Sequence, residues 1–465
     1  MHPFVMATPS NIPLEFTVRR CEPELVTPAK PTPYEQKLVS DIDDQEAFRL
    51  HVPIFNFYQY EPSMEGKDPA EIIREALAQT LVCYYPFAGR LREGANGKLI
   101  VDCTGEGVMF IKADADVTLE QFGEPLLPPF PYLDQLLYDV PGSEGILNCP
   151  LLLVQVTRLK CGGFIFTLRL NHVMSDATGL AQFLFALGEM ARGVATHLIS
   201  PVWERHLLDA RHPARITFTH REYDEVEAPV TTPITILPFD NPVQRSFSFG
   251  FAEVSLLRSL LPPHLHRCTT FELITACLWR CRTLAINLDP DEEVRMLCVV
   301  NACSKFNPSF PSGYYGNVIV LPAAVTTVKS LCEKPLGYAV ELIKQAKASV
   351  TEEYVKSVAA LTVARGKRIH FPNVIGTYII SDLTKAGFED IDFGWGKAVF
   401  GGPMIAVGVI SHLMPTKNKK GEVGIVTSVC LPAPVMERFA KELDMLKHQA
   451  SEGKKSKSNS ISSAL

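Results

Sequence analysis

The stretch RLNHVMSDATGL, Arg169 to Leu180, sets His172 four residues before Asp176. Upstream of His172 lies PLLLVQVTRLKCGGFIFTLRLN, and from Leu180 the chain reads LAQFLFALGEMARG. Lys160-Cys161-Gly162-Gly163 divide the first run into two strand-like halves, which is a hairpin signal. The second run has apolar residues at helical spacing and ends at Gly193. His172 therefore stands where a buried strand gives way to a loop, a usual place for a functional side chain. An imidazole with an ordinary pKa of about 6.5 suits proton transfer near neutrality. Asp176 reads either as the group that orients the ring or as a loop anchor turned away onto a basic residue. Spacing alone leaves three readings of His172 open: a catalytic base, a metal ligand and a structural histidine. Metal ligation is the weakest, because no third ligand has suggestive spacing.

The rest of the chain narrows the class. It has 465 residues, 46% hydrophobic and 21% charged, as expected of a globular protein large enough for two domains. A net charge of −6 argues against a nucleic-acid binder. No apolar run reaches the roughly 18 residues of a membrane span, and the start lacks the basic and apolar regions of a secretory signal. The 12 cysteines are scattered, with no Cys-x-x-Cys pair. Cys277 and Cys281 sit at helical spacing and read as core. A reducing intracellular compartment fits this usage.

A mixed α/β pattern runs through two comparable halves. The expected organisation is an N-terminal domain over 1–215, a Pro-rich and acidic crossover over 216–245, and a C-terminal domain over 246–450. The tail, 451–465, reads SEGKKSKSNSISSAL and is expected to be disordered. It ends in Ser463-Ala464-Leu465, which keeps the first and last residues of the peroxisomal Ser-Lys-Leu address. Peroxisome, through an import receptor at that tripeptide, or cytoplasm is the expected location. Asp68 before Pro69 reads as a helix start, and Thr269 with Glu272 matches a capping box.

There is no Gly-x-Ser-x-Gly elbow, no phosphate loop and no dinucleotide fingerprint. The sequence DFGWG, Asp392 to Gly396, carries a tryptophan where a phosphate cradle needs open backbone. A tight turn around a packed Trp395 is the better physical reading.

HVMSD at 172–176 together with DFGWG at 392–396 resembles the plant BAHD acyltransferase family. The segments YYPFAGRLREG, VDCTGEGV and GYYGN look like its benzyl alcohol O-benzoyltransferase branch, which includes alcohol acyltransferases. The resemblance covers nearly the whole chain. It implies two chloramphenicol-acetyltransferase-like α/β domains with a solvent channel between them. It implies an acyl-CoA-dependent alcohol O-acyltransferase, benzoyl-CoA with benzyl alcohol being the expected pair, and acetyl-CoA with aliphatic alcohols the rival. A catalytically weak relative that only binds is the reading from a different class. Acyl-CoA is a substrate, and no cofactor or metal is implied; the family is usually monomeric.

By this resemblance His172 is the general base and no acyl-enzyme forms. Ser381, eleven residues before Asp392, is the oxyanion candidate. Thr269 and Thr270, at a helix start, are the CoA-binding candidates. Asp176, Asp392, Gly394, Trp395 and Gly396 are structural. One departure raises a question. The family's arginine partner of Asp176 aligns with Cys303, which cannot form that ion pair. Either Lys305 reaches Asp176, or the carboxylate bonds only to backbone N–H groups.

Overall fold

The structure, a computed structural model, describes residues 14–94, 97–195, 198–223, 242–366, 375–404, 408–417 and 421–462, the side chains of 452–462 excepted. Two large sheets dominate the described residues. In the first, the strand order is Val18–Arg20, Val108–Ala115, Leu152–Leu159, Phe164–Asn171, His51–Tyr58 and Phe400–Gly402, with Glu24–Val26 also pairing with Val108–Ala115. In the second, it is Pro242–Phe249, Val423–Pro432, Ile410–Lys417, Thr377–Asp382, Glu293–Cys298 and Ala323–Thr327. Both sheets mix parallel and antiparallel pairs.

The hairpin read from the glycine pair is present. Leu152–Leu159 and Phe164–Asn171 are antiparallel, and Leu159 N–H donates to Gly163 O at 2.8 Å. Both strands are almost wholly buried, so their near-continuous apolar sequence follows from being covered on two sides. Asp68 caps the helix Pro69–Cys83 by accepting from Ala70 N–H at 3.0 Å. That helix packs on Ala177–Ala191, the helix that follows the histidine motif.

The division of the chain into contiguous halves does not hold for the segment carrying DFGWG. The strand Phe400–Gly402 pairs with His51–Tyr58 in the first sheet, Phe400 opposite Phe57 and Gly402 opposite Phe55. Leu383, Phe388, Ile391, Phe393 and Trp395 all lie in the first core, not in the core of the 246–450 half. Two side chains fasten this segment: Asn56 Nδ2 donates to Phe388 O at 2.6 Å, and Tyr58 OH to Ile391 O at 3.0 Å. The physical reason is an edge. His51–Tyr58 would otherwise show a row of unpaired backbone groups, and the returning segment covers it. The helix Glu352–Ala364 also joins the first core through Val355, Val358 and Leu361.

Two other expectations need revision. The second sheet begins at Pro242, inside the predicted crossover; residues 224–241 of that crossover lie outside the described residues. The tail expected to be disordered from 451 is instead helical through Ser462, as the end of Ala433–Ser462. The segment holds no proline and a single glycine, Gly453, and propagating an existing helix costs far less than nucleating one. Ser463-Ala464-Leu465 lies outside the described residues.

Candidate active site

The motif is built as strand, single turn, helix. Asn171 ends the strand by accepting Val173 N–H on its side chain at 3.2 Å, which starts a 3₁₀ turn over His172–Met174. Ser175 returns to extended backbone, and Asp176 opens the helix Ala177–Ala191 as its N-cap. The His172 N–H is held by Leu50 O at 2.9 Å. Phe48 stacks on the imidazole, with ring centroids 4.9 Å apart and planes within 13°. The ring is partly exposed, yet burial lowers its pKa below the ordinary 6.5, so it is neutral near pH 7 with a lone pair to offer.

The loop Gly313–Val318 comes from the other half of the chain and lies against this turn. Asn317 Nδ2 donates to His172 O at 2.9 Å and lies 3.3 Å from Val173 O. The same nitrogen donates to Asp43 Oδ1 at 2.8 Å, and Asn317 N–H reaches that oxygen at 3.0 Å. Asp43 Oδ2 pairs with Arg205 Nη1 at 2.9 Å, both side chains being inaccessible to solvent. Arg205 Nη2 donates to Met174 O at 2.7 Å, and its guanidinium lies 4.3 Å from the Trp203 ring. Asn317 and Arg205 thus hold all three carbonyls of the His172 turn, and Asp43 ties the two side chains together.

Among the atoms left without a hydrogen bond in this cluster, two bear on the ring. His172 Nδ1 and Asn317 Oδ1 are both buried without a formed hydrogen bond among the described residues. The Asn317 side chain is nonetheless close enough to favour the protonated ring. The arrangement fits Nδ1–H donating to Asn317 Oδ1, which leaves Nε2 as the basic nitrogen. Such contacts are commonly loose before substrate is bound.

Asp176 settles the question that Cys303 raised. Its Oδ1 accepts Thr178 N–H at 2.9 Å and Gly179 N–H at 3.1 Å; its Oδ2 accepts Val318 N–H at 3.0 Å. The anchor is three backbone N–H groups. Lys305 is exposed and forms no ion pair with it among the described residues. Burial raises the Asp176 pKa, and the N–H donors oppose that rise. Burial, and then the charge of Asp176, pushes the Cys303 thiol up to about 11, so a neutral side chain stands where an arginine is expected. Gly179 permits the close approach: a Cβ there would meet Tyr315 O at 2.3 Å.

The remaining predicted residues separate. Ser381 lies on Thr377–Asp382 in the second sheet, half-buried, directly beside His412 on Ile410–Lys417. A charge on His172 is felt at His412, so these two central strands of the second sheet lie near the His172 turn. Thr269 and Thr270 do not join them. Thr269 caps Thr270–Ile286, accepting Glu272 N–H at 3.2 Å, while Glu272 Oε2 accepts Thr269 N–H at 2.9 Å. A carboxylate therefore already occupies part of that helix start, balanced by Lys347 at 2.9 Å. In DFGWG, Asp392 Oδ1 accepts Gly394 N–H at 2.7 Å, and Trp395 packs edge-on to Phe164 at 5.3 Å. Gly394 and Gly396 have φ of +109° and +80°, where a side chain would be strained. The motif closes a tight turn.

Sequence reasoning missed Asp43, Arg205 and Asn317 as parts of the site. The only signal was polar residues set among apolar ones, in LVSDIDD and GYYGN. Among the described residues no group of three His, Cys, Asp or Glu side chains is placed to hold a metal ion, and no helix is long and apolar enough to cross a membrane.

His172 thus stands on a strand-to-helix turn, partly exposed, with its pKa lowered by burial. The family model described as the Transferase family matches residues 16–446, and the chain belongs to this family of BAHD acyltransferases. It is 62% identical over 94% of its length to a benzyl alcohol O-benzoyltransferase of Petunia hybrida, which is itself covered to 95%. It is 61% identical to one of Nicotiana tabacum, with the same coverage of both chains. An alcohol acyl transferase of Malus domestica is 54% identical, over 94% of this chain and 95% of its own. Vinorine synthase shares the fold, with a TM-score of 0.71 at 22% identity over 92% of this chain and 98% of its own. TRI101 of F. sporotrichioides, complexed with coenzyme A and T-2, also has a TM-score of 0.71, at 16% identity over 88% of this chain and 97% of its own. The protein is an acyltransferase.

Proposed function

We propose that this acyltransferase moves the benzoyl group of benzoyl-CoA to benzyl alcohol, with His172 as general base and no acyl-enzyme. The observation that carries the mechanism is His172 itself: partly exposed, with its pKa lowered by burial and Asn317 close by. The coarser reaction, acylation of an alcohol, is supported by relatives whose names state it. The aromatic pair is supported by the benzoyltransferases matching at higher identity than the apple enzyme.

The alcohol proton passes to His172 Nε2 as the alcohol oxygen bonds to the thioester carbonyl carbon. The carbonyl π pair moves onto oxygen, where the Ser381 hydroxyl donates to it. That pair returns as the carbon–sulfur bond breaks. CoA leaves as thiolate and takes the proton from imidazolium. A thioester is already activated, so holding both substrates together removes the need for a covalent enzyme intermediate. Thr269 and Thr270 are the proposed contacts for a CoA phosphate, with Lys347 nearby.

The test is thiol release and ester formation by the purified protein. Benzoyl-CoA and acetyl-CoA are each offered with benzyl alcohol, methanol and hexanol. Benzyl benzoate is expected to form with the highest kcat/KM. Preference for acetyl-CoA with hexanol would replace the substrate pair, and no ester from any pair would leave a binding protein. The C-terminal tripeptide is proposed as a peroxisomal address. Deleting 463–465 from an N-terminal fluorescent fusion should turn a punctate signal diffuse; an unchanged signal refutes the address.

A further inference from the structure

The strand Ile410–Lys417 carries a histidine that the reaction as written does not use. His412 is the register partner of Ser381 in a parallel ladder. Such partners share a face of the sheet and lie about 5 Å apart. The alternation of neighbours shows which face. Ser411 turns into the second half, where its Oγ donates to Ser428 O at 2.7 Å and accepts from Tyr378 OH at 2.9 Å. Met414, two residues beyond His412 and on its face, packs into the first core. Ser381 and His412 therefore stand side by side toward the half that carries His172.

His412 is half-buried, and its ring has no hydrogen-bond partner in the protein among the described residues. Burial, and then a charge on His172, lowers its pKa to about 4. The ring is therefore neutral at physiological pH, with one N–H to donate and one lone pair. That protonation state matters to its neighbour. A cationic His412 would oppose the positive charge that His172 acquires as it takes the alcohol proton. A neutral donor stabilises developing negative charge on the substrate without that penalty.

We propose that the His412 ring N–H is a second oxyanion donor, acting beside the Ser381 hydroxyl on the tetrahedral oxygen formed as His172 deprotonates the alcohol. Two donors side by side at cross-strand distance can both reach one oxygen, the usual form of an oxyanion site. His412 keeps its proton throughout: no bond to it forms or breaks, and only its hydrogen bond strengthens as the carbonyl gains charge. The role rests on the acyl transfer proposed above.

The experiment compares His412→Phe, which keeps an aromatic ring and removes the donor, with His412→Gln, which restores an N–H. Thiol release from benzoyl-CoA and benzyl alcohol gives kcat and both KM values, and thermal unfolding checks the fold. H412F should lower kcat by about 10²-fold with both KM values little changed, as for loss of one oxyanion donor. H412Q should recover at least about a tenth of the wild-type kcat, since an N–H again reaches the oxygen. The inference is overturned if H412F keeps its kcat, if its loss lies in the alcohol KM alone, or if folded H412Q is as poor as H412F. H412L replaces H412F in this comparison should the latter not fold. Wild-type protein inactive with every substrate pair refutes the proposed function and this role together. Active wild type with an unimpaired H412F refutes only the role of His412.

Discussion

Two histidines of this chain sit in opposite surroundings. His220 lies just past the first half, at the start of the crossover, with Nδ1 2.9 Å from Glu222 Oε1 and Nε2 2.8 Å from Ser357 Oγ. By distance this is a serine–histidine–carboxylate triad. It is also sealed: Ser357 is wholly buried, its Oγ accepts Thr217 N–H at 2.9 Å and Phe218 N–H at 3.2 Å, and Tyr354 OH donates to Glu222. Every group in it is committed, and no substrate can enter. His172 has the looser geometry, with Nδ1 unbonded and the ring partly exposed. Complete satisfaction marks a structural cluster, because a buried polar group without a partner costs about 1–3 kcal/mol.

The sharpest way to break this contrast is to remove each histidine-centred function in turn. His172→Ala should lower kcat by about 10³-fold, the scale of lost general-base catalysis. Ser357→Ala should leave kcat within about twofold while lowering the unfolding midpoint, since two backbone N–H groups and the His220 ring lose their partner. A large loss of thiol release in S357A would mean that the sealed triad takes part after all.

Asn317→Ala should come next in size. It loosens the turn and removes the acceptor at Nδ1, so kcat should fall about 10- to 100-fold with KM little changed. That is the pattern of a positioning residue acting through a general base. An effect on KM alone would show that Asn317 serves binding rather than the ring.

Asp176→Ala deletes an N-cap and strands three backbone donors. Unfolding in denaturant should show a loss of about 2–4 kcal/mol, the sum expected for a cap and a buried unsatisfied group. Unchanged stability would mean that water replaces the carboxylate at no cost. The smallest effect is on pH dependence. In the proposed mechanism His172 accepts the proton only when neutral, and its lowered pKa extends the neutral form to more acidic pH. The acid limb of kcat/KM should therefore fall below pH 6.5; a limb above that value would show that the free enzyme holds the imidazolium form.

The elements around the motif were legible because each rests on a local signal: the glycine pair at 162–163, Pro69 after Asp68, the capping box at Thr269. Asp43 and Arg205 were not legible. Their pairing joins positions 162 apart, and nothing near either residue names its partner. The same holds for Asp176. Lys305 lies close to Cys303 in sequence and invites an ion pair, yet the carboxylate is filled by backbone N–H groups that composition cannot reveal.

The order of apolar runs, the caps and the two family motifs are properties of the chain itself, since they depend on neighbours within a few residues. They suffice for the mixed α/β class, the family and the importance of His172. Which groups surround that histidine was decided by tertiary structure. A loop at 313–318, a buried Asp43–Arg205 pair and the Ser381–His412 ladder converge on one turn only when the two sheets come together. Hydrogen bonds act over about 3 Å, and proximity at that scale between distant segments is set by packing.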